Sequence, residues 1–376
     1  MLPNKLAIFT HGINIKDGPF PHICTTLARG FQELGVSCDL VVLNVSDDDQ
    51  ARYPDVNVVG LNARRASLSL LPLIRYMREQ KPDAIFPMPW YFNVMAIWSR
   101  LLSQTKTKII IGEHNICSLE ASIEHKDSLR IKYLPILMRY TYPYGDGLIG
   151  VSQDTITDLV KEIKVQTSIP KTVIPNPINV IQVQQRAKQP IEYPWFKERN
   201  VPVILTVARL AKQKQLDVLL RAFSHVLSVL PARLLILGEG PLRAELEGIC
   251  KELGIEEYVN MPGYDPNPCR FMPVCDVFVL PSAWEGCPVA LQEALACGAA
   301  VIVNDAPGGA KDLVERGKYG MMVPVGDDGA LAEAIIQMLT QPNLKEYYQE
   351  QARIRAHDFH YLEISKQYLD FYLQLH

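Results

Sequence analysis

Two glutamates lie eight positions apart around a predicted strand-to-helix turn, Glu285 just ahead of the helix and Glu293 in its second turn. The segment 281–298 reads PSAWEGCPVALQEALACG and places Pro288 near the first helical position, where proline costs no hydrogen bond. Unpaired N–H groups and the helix dipole at such a start bind phosphate oxygens. We therefore predict an anion site at this turn, formed by the backbone of Gly286, Cys287, Pro288 and Val289.

Carboxylates beside a bound phosphate are repelled by it. Glu285 and Glu293 are therefore best explained as acceptors of hydrogen bonds from hydroxyl groups on either side of the phosphates, such as sugar and ribose hydroxyls. The alternative is that each glutamate only complements the helix dipole, an effect of about 0.3–1 kcal/mol.

Basic side chains follow the strand predicted over 202–207. Arg209 comes directly after it, and Lys212 and Lys214 follow in the next loop, where they could bind a diphosphate. For Lys212 a solvated loop explains the residue equally well. The turn Gly238-Glu239-Gly240-Pro241 closes the next strand, but Arg243 occupies the third glycine position of the dinucleotide fingerprint, which argues against NAD.

Length and composition indicate two globular domains. The chain has 376 residues, 48% of them hydrophobic and 21% charged, and the composition excludes a mainly disordered chain. A net charge of −3 gives no reason to expect a nucleic-acid partner. The eight cysteines include no C-x-x-C pair, so we expect free thiols in a reducing compartment. With no signal-peptide pattern at the N-terminus and no apolar run of about 20 residues, we expect a cytoplasmic protein.

Short apolar runs alternate with amphipathic windows along the whole chain, which predicts an α/β fold built on parallel sheets. The predicted strands are 6–10, 38–43, 57–61, 84–86, 108–112, 147–151, 172–174, 202–207, 233–237, 258–261, 277–280, 300–303 and 321–324. Residues 1–180 form the first domain, the polar stretch 181–200 is a linker, and 201–357 form the second domain. Helices are predicted over 331–339, 345–356 and 362–375.

Ordered motifs across most of the chain resemble the retaining glycosyltransferases of family four. In the second half they are Arg209 with Lys214, LGEGP, Gly263-Tyr264, the 281–298 segment, PGGAKDLV and GMMVPVGD. In the first half GEHN (112–115), GLIGVSQDTITDL (147–159) and VIPNPIN (173–179) match as well. The resemblance implies the GT-B fold, two Rossmann-like domains whose parallel sheets face across a cleft. It also implies that helix 358–376 crosses back to the first domain.

The resemblance also implies roles in the donor site. Glu285 contacts the donor sugar, Glu293 holds the ribose, and Arg209 with Lys214 neutralises the diphosphate. Gly263 and Tyr264 lie where the nucleotide base binds.

In the first half, His114 lies near the anomeric centre. It follows a run of isoleucines, so a core histidine with satisfied hydrogen bonds is the alternative. Acceptor contacts are assigned to Asp17, His22 and Asn115. The usual glycine pair is replaced by DGPFPH (17–22), and Asp312 stands where glutamate is more frequent, which leaves loop geometry and acceptor choice open.

We thus predict a retaining hexosyltransferase that moves a sugar from a nucleotide-diphosphate sugar, a UDP-sugar, to a hydroxyl acceptor in polysaccharide, glycolipid or glycoconjugate synthesis. The acceptor is a sugar, a lipid-linked saccharide or a small molecule. Because Arg209 and Lys214 would replace a metal, no metal or other cofactor is expected, and Asp47-Asp48-Asp49 is interpreted as a solvated acidic loop. Three alternatives stay open: a sugar-nucleotide epimerase, a phosphorylase, or a non-catalytic nucleotide-sugar-binding subunit.

The basic and aromatic segment 126–144 is predicted to be helical, with Arg64, Arg65 and residues 68–76 upstream. One interpretation is an ordinary helix of the first domain with its apolar side in the core. The other is peripheral contact with the inner membrane face.

Overall fold

The structure is a computed structural model that describes residues 2–14, 20–124, 129–166, 168–198 and 201–375. The chain divides into two compact units, one made of residues 1–178 with 360–376 and the other of residues 179–359. Each unit contains its own parallel sheet.

The first unit is built on a seven-stranded sheet in the order β3-β2-β1-β4-β5-β6-β7. Its strands are β1 Lys5–Thr10, β2 Ser37–Val42, β3 Asn57–Gly60, β4 Ala84–Pro87, β5 Lys108–Glu113, β6 Gly147–Gly150 and β7 Lys171–Val173. Its helices begin with α1 Phe20–Glu33, α2 Asp47–Arg52, α3 Leu70–Gln80, α4 Tyr91–Ser103, α5 Cys117–Leu119, α6 Leu129–Thr141 and α7 Gln153–Lys161.

Strand β1 explains why these apolar runs form central strands. Leu6, Ala7, Ile8 and Phe9 are all fully buried, and successive side chains point to opposite faces of the sheet. Ala7 and Phe9 belong to one hydrophobic cluster, and Leu6 and Ile8 belong to another. A continuous apolar run is therefore required, because helices cover both faces.

The second unit is built on a six-stranded sheet in the order β10-β9-β8-β11-β12-β13. Its strands are β8 Val203–Val207, β9 Arg233–Leu237, β10 Val259–Gly263, β11 Val277–Leu280, β12 Val301–Asn304 and β13 Met321–Val323. Its helices are α8 Val180–Ala187, α9 Pro194–Glu198, α10 Leu216–Leu227, α11 Arg243–Leu253, α12 Val289–Ala296, α13 Gly309–Leu313, α14 Asp328–Thr340 and α15 Pro342–Ala356.

The last helix, α16 Tyr361–Gln374, packs within the first unit. Tyr368 is almost fully buried, and its ring lies edge-on to Phe31 and Phe86, with centroids 6.3 and 5.4 Å away. Lys108 Nζ donates a hydrogen bond to the carbonyl of Leu375. Residues 360–376 therefore help to build the core of the unit that contains β1.

Two local predictions, for residues 181–200 and 47–49, differ from the structure, and the structure gives bounds for two others, the helix start at Pro288 and the helical segment 126–144. Residues 181–200, predicted as a linker, contain helices α8 and α9 in the second unit, because Val180 and Val183 are buried on one side of a short polar helix. Pro288 is the N-cap, so the first helical residue is Val289. Residues 47–52 form α2 rather than a loop, although the side chains of residues 47–49 lie outside the description. The segment 126–144 contains α6 and a 3₁₀ turn, Tyr142–Tyr144, with residues 125–128 outside the described ranges.

Each sheet has a position where the strand order reverses, between β1 and β4 in the first unit and between β8 and β11 in the second. In open parallel sheets, ligands bind outside the carboxyl ends of the two strands at such a switch point. The loops after β8 and β11 contain Arg209 and Glu285 respectively. The topology therefore places two predicted site residues at the same edge.

Candidate functional site

Lys214 and Glu285 form a shielded ion pair at the β8/β11 switch point. Lys214 Nζ lies 2.5 Å from Glu285 Oε1, and the side chains are 16% and 6% exposed. Ser282 Oγ also donates to Oε1, at 2.7 Å. Because both donors use the same oxygen, Oε2 remains for another hydrogen-bond donor. The lysine predicted to bind a diphosphate and the glutamate predicted to bind a sugar thus form one ion pair.

The turn that carries Glu285 is fixed by its backbone. Ala283 N donates to Gln213 O at 2.8 Å, and Gln213 Nε2 returns a bond of 2.9 Å to Trp284 O. Glu285 N donates to Pro307 O at 3.0 Å. Next to it, Gly308 has φ +113°, and a Cβ there would lie 1.5 Å from the carbonyl oxygen of Glu285. Only glycine fits at this position.

Arg209 is presented on a loop that is clamped by the turn after β9. Ala208 N and Leu210 N donate to the carbonyls of Leu237 and Glu239, at 3.0 and 2.9 Å. Gly238, with φ +143°, permits this approach, since a Cβ would come within 1.9 Å of Ala208 O. The G-x-G turn therefore holds the loop before α10, while the Arg209 side chain is exposed.

Helix α12 directs its first turn toward the same edge. Pro288 has extended backbone geometry and no side-chain cap, and its carbonyl accepts from Leu291 N and Gln292 N at 3.1 and 3.2 Å. The N–H groups of Val289 and Ala290 have no preceding intrahelical acceptor, as at any helix start. Gly286 and Cys287 complete the turn, with the Cys287 side chain buried.

Glu293, in the second turn of α12, is paired with a residue that the sequence did not reveal. Arg186 Nη1, from α8, lies 3.3 Å from Glu293 Oε1. Burial raises the pKa of Glu293, and the charge of Arg186 opposes that rise. Both glutamates of the motif therefore have a cationic partner. Arg186 was missed because it lies in the segment predicted as a linker.

Gly263 and Tyr264, predicted to lie at the nucleotide base, are the last residue of β10 and the residue after it. The Tyr264 side chain is 65% exposed, and Gly263 O accepts from Gly238 N at 2.8 Å. A cavity of about 400 Å³ adjoins them, and Asp265 pairs with Arg270 at its wall, 2.6 Å apart. Its lining residues are Pro190, Glu192, Tyr193, Leu237, Pro262, Asp265, Arg270 and Phe271.

In the first unit, His114 follows β5 and is 7% exposed. Its Nδ1 lies 3.0 Å from Asn176 Oδ1, whereas its Nε2 is buried without a hydrogen-bond partner in the described part of the chain. Burial lowers the pKa of His114 to about 4, so the ring is neutral at pH 7. With Nδ1–H donating to Asn176, Nε2 is left as an acceptor. Within the described residues, only Nδ1 of this ring therefore has a hydrogen-bond partner.

Glu113, the residue before His114, is fully buried and was not predicted to be functional. Asn93 Nδ2 donates to its Oε1 at 2.7 Å, Tyr142 Oη donates to the same atom, and Cys117 Sγ lies 3.4 Å from Oε2. Burial raises the pKa of Glu113 to about 7. The only sequence signal was an acidic residue at the end of an isoleucine-rich strand.

Two of the predicted acceptor residues are described: His22 lies on α1, and Asn115 lies in the loop after β5. A cavity of about 260 Å³ lies at the β1/β4 switch point, lined by Thr10, His11, Gly12, Phe20, Pro21 and Pro89. His22 is half-buried on α1 next to this lining, and Asn115 Nδ2 donates to Glu120 Oε2 at 3.2 Å. Asp17 lies outside the described residues.

Within the described ranges, no group of three His, Cys, Asp or Glu side chains could hold a metal ion, and all eight cysteines are free. In the same part of the chain, no helix combines the length and apolarity needed to cross a bilayer.

Comparison with known proteins identifies relatives along most of the chain. Residues 188–355 match the family Glycosyl transferases group 1, and residues 22–182 match Glycosyltransferase Family 4. The Campylobacter jejuni N-acetylgalactosamine-N,N'-diacetylbacillosaminyl-diphospho-undecaprenol 4-alpha-N-acetylgalactosaminyltransferase is 31% identical over 283 residues, 75% of this chain and 73% of that protein. The N-acetyl-alpha-D-glucosaminyl L-malate synthase of Bacillus anthracis is 26% identical over 63% of this chain and 61% of its own length.

Solved structures agree on the fold. Anabaena HepE in complex with UDP-glucose has a TM-score of 0.78 at 17% identity, covering 98% of this chain and 99% of that one. Sucrose-phosphate synthase of Thermosynechococcus elongatus has a TM-score of 0.77 at 19% identity, covering 99% of both. Since the two family matches extend over most of the sequence and the Campylobacter relative covers about three quarters of each chain, the protein belongs to the group 1 glycosyltransferases of family four and has the GT-B fold.

Proposed function

We propose that the protein is a retaining, metal-independent hexosyltransferase that moves a sugar from a UDP-sugar to the hydroxyl of a lipid-linked saccharide. The observation that carries the proposal is the shielded Lys214–Glu285 pair, 2.5 Å apart, at the switch point of the second unit. A sugar diphosphate presents an anion next to hydroxyl groups, and this pair offers a cation next to an acceptor oxygen.

The leaving group determines what the donor site must do. As the bond between the anomeric carbon and the diphosphate breaks, negative charge grows on the diphosphate. Arg209, Lys214 and the first-turn N–H groups of α12 are preorganised donors for that charge, and such donors are usually the largest catalytic contribution. These cations take the place of a metal in this proposal, and activity that survives EDTA is the expected result.

The two carboxylates bind different parts of the donor. Glu285 accepts from a hydroxyl of the transferred sugar through Oε2, and Glu293 accepts from the ribose. The cavity next to Gly263 receives the base, with Asp265 and Arg270 as its polar groups. Uridine is chosen because Anabaena HepE and the pneumococcal O-GlcNAc transferase GtfA, which share the fold, were solved with UDP.

His114 supports the reacting sugar rather than acting as a strong base. Its low pKa keeps it neutral, and Nε2 can accept a hydrogen bond from a donor-sugar hydroxyl. Retention requires the acceptor to bond to the anomeric carbon on the face that the diphosphate leaves. The bond from the anomeric carbon to the phosphate oxygen breaks, and a bond from the same carbon to the acceptor oxygen forms. The departing phosphate oxygen takes the proton of the acceptor hydroxyl.

A lipid-linked acceptor is supported by the Campylobacter jejuni relative, whose name specifies a diphospho-undecaprenol-linked saccharide. In the first unit the cavity at the β1/β4 switch point offers a place for the acceptor sugar, with His11 in its wall and His22 beside it. Acceptor contacts by Asp17, His22 and Asn115 remain part of this proposal.

Peripheral contact with an anionic membrane is supported by one face of the first unit, the basic-aromatic face, made of residues 64–68, α3, α4 and α6. Helix α4 contacts both α3 and α6. Apolar side chains stand exposed there, among them Leu68, Leu71, Trp98, Leu101, Leu102, Tyr133, Ile136 and Tyr140. Glu79 is the only acidic residue on these three helices, whereas Arg64, Arg65, Arg75 and Arg78 are exposed cations.

This composition favours a bilayer over other partners. Two copies of so basic a face would repel each other, and a nucleic acid would leave the leucines in water. Anionic lipid suits both the basic and the apolar side chains, since the headgroups pair with arginine while the apolar side chains enter the interface.

Flotation with lipid vesicles tests this membrane contact. We expect binding to phosphatidylglycerol vesicles that weakens with salt and with Leu71→Ser/Tyr140→Ser, and equal binding of the double variant would contradict it.

The activity itself is tested in two steps. A thermal-shift screen with UDP-, GDP- and ADP-sugars comes first, because a ligand at about 100 times its Kd adds about 2.7 kcal/mol of stability. The stabilising donor is then incubated, with and without EDTA, with polyprenyl-diphosphate saccharides, and the anomeric configuration of the product is determined by NMR. Release of a free epimerised sugar, phosphate-dependent turnover, or binding without turnover on any acceptor would instead favour the epimerase, the phosphorylase or the non-catalytic subunit.

A further inference from the structure

Arg186 is held in place on both sides of its guanidinium. Its Nη1 lies 3.3 Å from Glu293 Oε1, and its Nη2 donates to Pro266 O, also at 3.3 Å. The backbone carbonyl of Arg186 accepts from Asn267 Nδ2 at 3.0 Å. The guanidinium therefore joins α12 to the turn after β10, which also contributes to the 400 Å³ cavity.

Helix α8, which carries Arg186, is held by hydrogen bonds at its start and to the end of α12. At its start, Asn179 Oδ1 accepts from Gln182 N at 3.0 Å, and Gln184 Nε2 donates to Ala296 O at the end of α12, at 3.2 Å. Arg186 lies in the last turn of this helix, and its side chain is 29% exposed. The contact with Glu293 is thus set by the packing of α8 on α12.

The surroundings of Glu293 contain little else that could balance its charge. The 3₁₀ turn Pro268–Arg270 presents the Cys269 thiol, and Cys297, at the end of α12, donates to Cys269 O at 3.7 Å. Helix α15 brings Arg353 to Gly298 rather than to the carboxylate itself. Among the described residues, Arg186 is therefore the cation paired with the buried carboxylate, and removing it would leave that charge without this compensation.

We infer that Arg186 is a positioning residue for donor binding, which holds Glu293 ionised and turned so that its second oxygen accepts from the ribose hydroxyls. The inference rests on the proposed nucleotide-sugar function and assigns part of donor affinity to a helix outside the sequence motifs. It acts through Glu293 and needs no contact between Arg186 and the donor. Loss of Arg186 should therefore affect only ligands that carry the hydroxyl groups.

The test compares nucleotide affinity by calorimetry at pH 6.0 and pH 8.5. The probes are UDP, GDP and ADP, and then the 2′,3′-dideoxy form of whichever binds. The proteins are wild type, Arg186→Met, Arg186→Lys, Glu293→Gln and the double variant Arg186→Met/Glu293→Gln. Arg221→Met is the matched control, because Arg221 pairs with Asp217 at 2.7 Å on the exposed face of α10 in the same unit.

We expect Arg186→Met to weaken binding of the ribonucleotide about 10- to 100-fold at pH 6.0, the usual range for a lost charged hydrogen bond. Burial raises the pKa of Glu293, so the carboxyl freed of Arg186 should ionise again as the pH rises, and part of the affinity should return at pH 8.5. Arg186→Lys should keep most of the affinity. Glu293→Gln should weaken binding at both pH values, and the double variant should be no weaker than Glu293→Gln.

Three outcomes overturn the inference, and each points to a different fault. If wild type binds none of the three nucleotides, the proposed function fails and the inference with it. If Glu293→Gln weakens binding but Arg186→Met does not, only the inference fails. If Arg186→Met weakens the ribonucleotide and its dideoxy form equally, Arg186 acts on the fold and not through the ribose hydroxyls. Melting temperatures equal to that of Arg221→Met would show that the variants are folded.

Discussion

Lys214 Nζ and Glu285 Oε1 are 2.5 Å apart, although one residue follows β8 and the other follows β11. Their contact follows from the strand order, because β8 and β11 are neighbours in the sheet. The sequence indicated two separate groups for two parts of a ligand. The structure joins them, and this coupling can be measured.

The first prediction concerns this coupling. Lys214→Met and Glu285→Gln should each lower kcat about 10²- to 10³-fold, the usual effect of removing one preorganised donor. The double variant should be little worse than either single one, because each single change already leaves its partner unpaired. Steady-state transfer assays check this.

Lys318→Met provides the control for that series, since Lys318 pairs with Glu315 at 3.1 Å in an exposed position. It should leave kcat unchanged. Effects of the two single changes that multiply in the double variant would contradict a shared function of the pair.

The second prediction separates Arg209 from its neighbour in the same loop. Arg209→Ala should lower transfer at least tenfold. The melting temperature should stay unchanged, because the side chain is exposed while the loop backbone is held by the turn after β9. Lys212→Ala, which removes another exposed cation three positions on, tests the solvated-loop interpretation, under which its rate equals that of wild type. Wild-type rates for Arg209→Ala would remove this residue from the diphosphate site.

The third prediction compares two glycines of similar backbone geometry. Gly308 has φ +113° and Gly317 has φ +104°, but a Cβ meets Glu285 O at 1.5 Å only at Gly308, and finds nothing within 4 Å at Gly317. Gly317→Ala should cost about 1 kcal/mol from backbone strain alone. Gly308→Ala should lower the melting temperature further and also reduce transfer, because the Glu285 turn must move. Thermal denaturation and transfer assays measure both variants. Equal losses of stability and of transfer in Gly308→Ala and Gly317→Ala would contradict the close approach of Gly308 to the carbonyl oxygen of Glu285.

The fourth prediction uses the pH dependence of stability. Burial raises the pKa of Glu113 to about 7 from its ordinary 4.5. Between these values the folded chain keeps a proton that the unfolded chain releases, so this group lowers the free energy of unfolding as pH rises, by an amount on the order of 3 kcal/mol. Glu113→Gln should remove that slope. Urea unfolding at pH 5 and pH 7.5 measures it.

His114 changes the stability in the opposite direction over an overlapping pH range. Burial lowers its pKa to about 4, so the unfolded chain binds the extra proton between about 4 and 6.5 and stability rises with pH there. Because this contribution is the same in both proteins, it cancels in the difference between wild type and Glu113→Gln. An unchanged slope in Glu113→Gln would show that the carboxyl is already ionised at pH 5.

Central strands were predictable because burial on both faces leaves a continuous apolar run. All thirteen predicted strands are present, with ends that differ by at most two residues: 277–280 matches β11 at both ends, whereas 258–261 and β10 differ by one residue at the start and two at the end. The strand-to-helix turn was also predictable, since Glu285, Gly286 and Val289 are close in sequence and their relation is local.

Relations between distant residues could not be read in the same way. Glu113 owes its pKa to burial beside Asn93 and Tyr142, and nothing in the local sequence indicates those partners. Helix α8 has only two buried side chains, Val180 and Val183, so its composition is that of a linker, and Arg186 was overlooked with it. In both cases the environment of a charged side chain depends on distant segments that the fold brings together.

The placement of α16 determines when the first unit can finish folding during synthesis. Tyr368 and its neighbours close the core around Phe31 and Phe86, yet they are translated after the whole second unit. On the ribosome one side of the N-terminal sheet therefore stays only partly covered, by α1, until the final helix of the unit emerges. Nascent chains of this protein should depend on chaperones at the first half, although that half is made first.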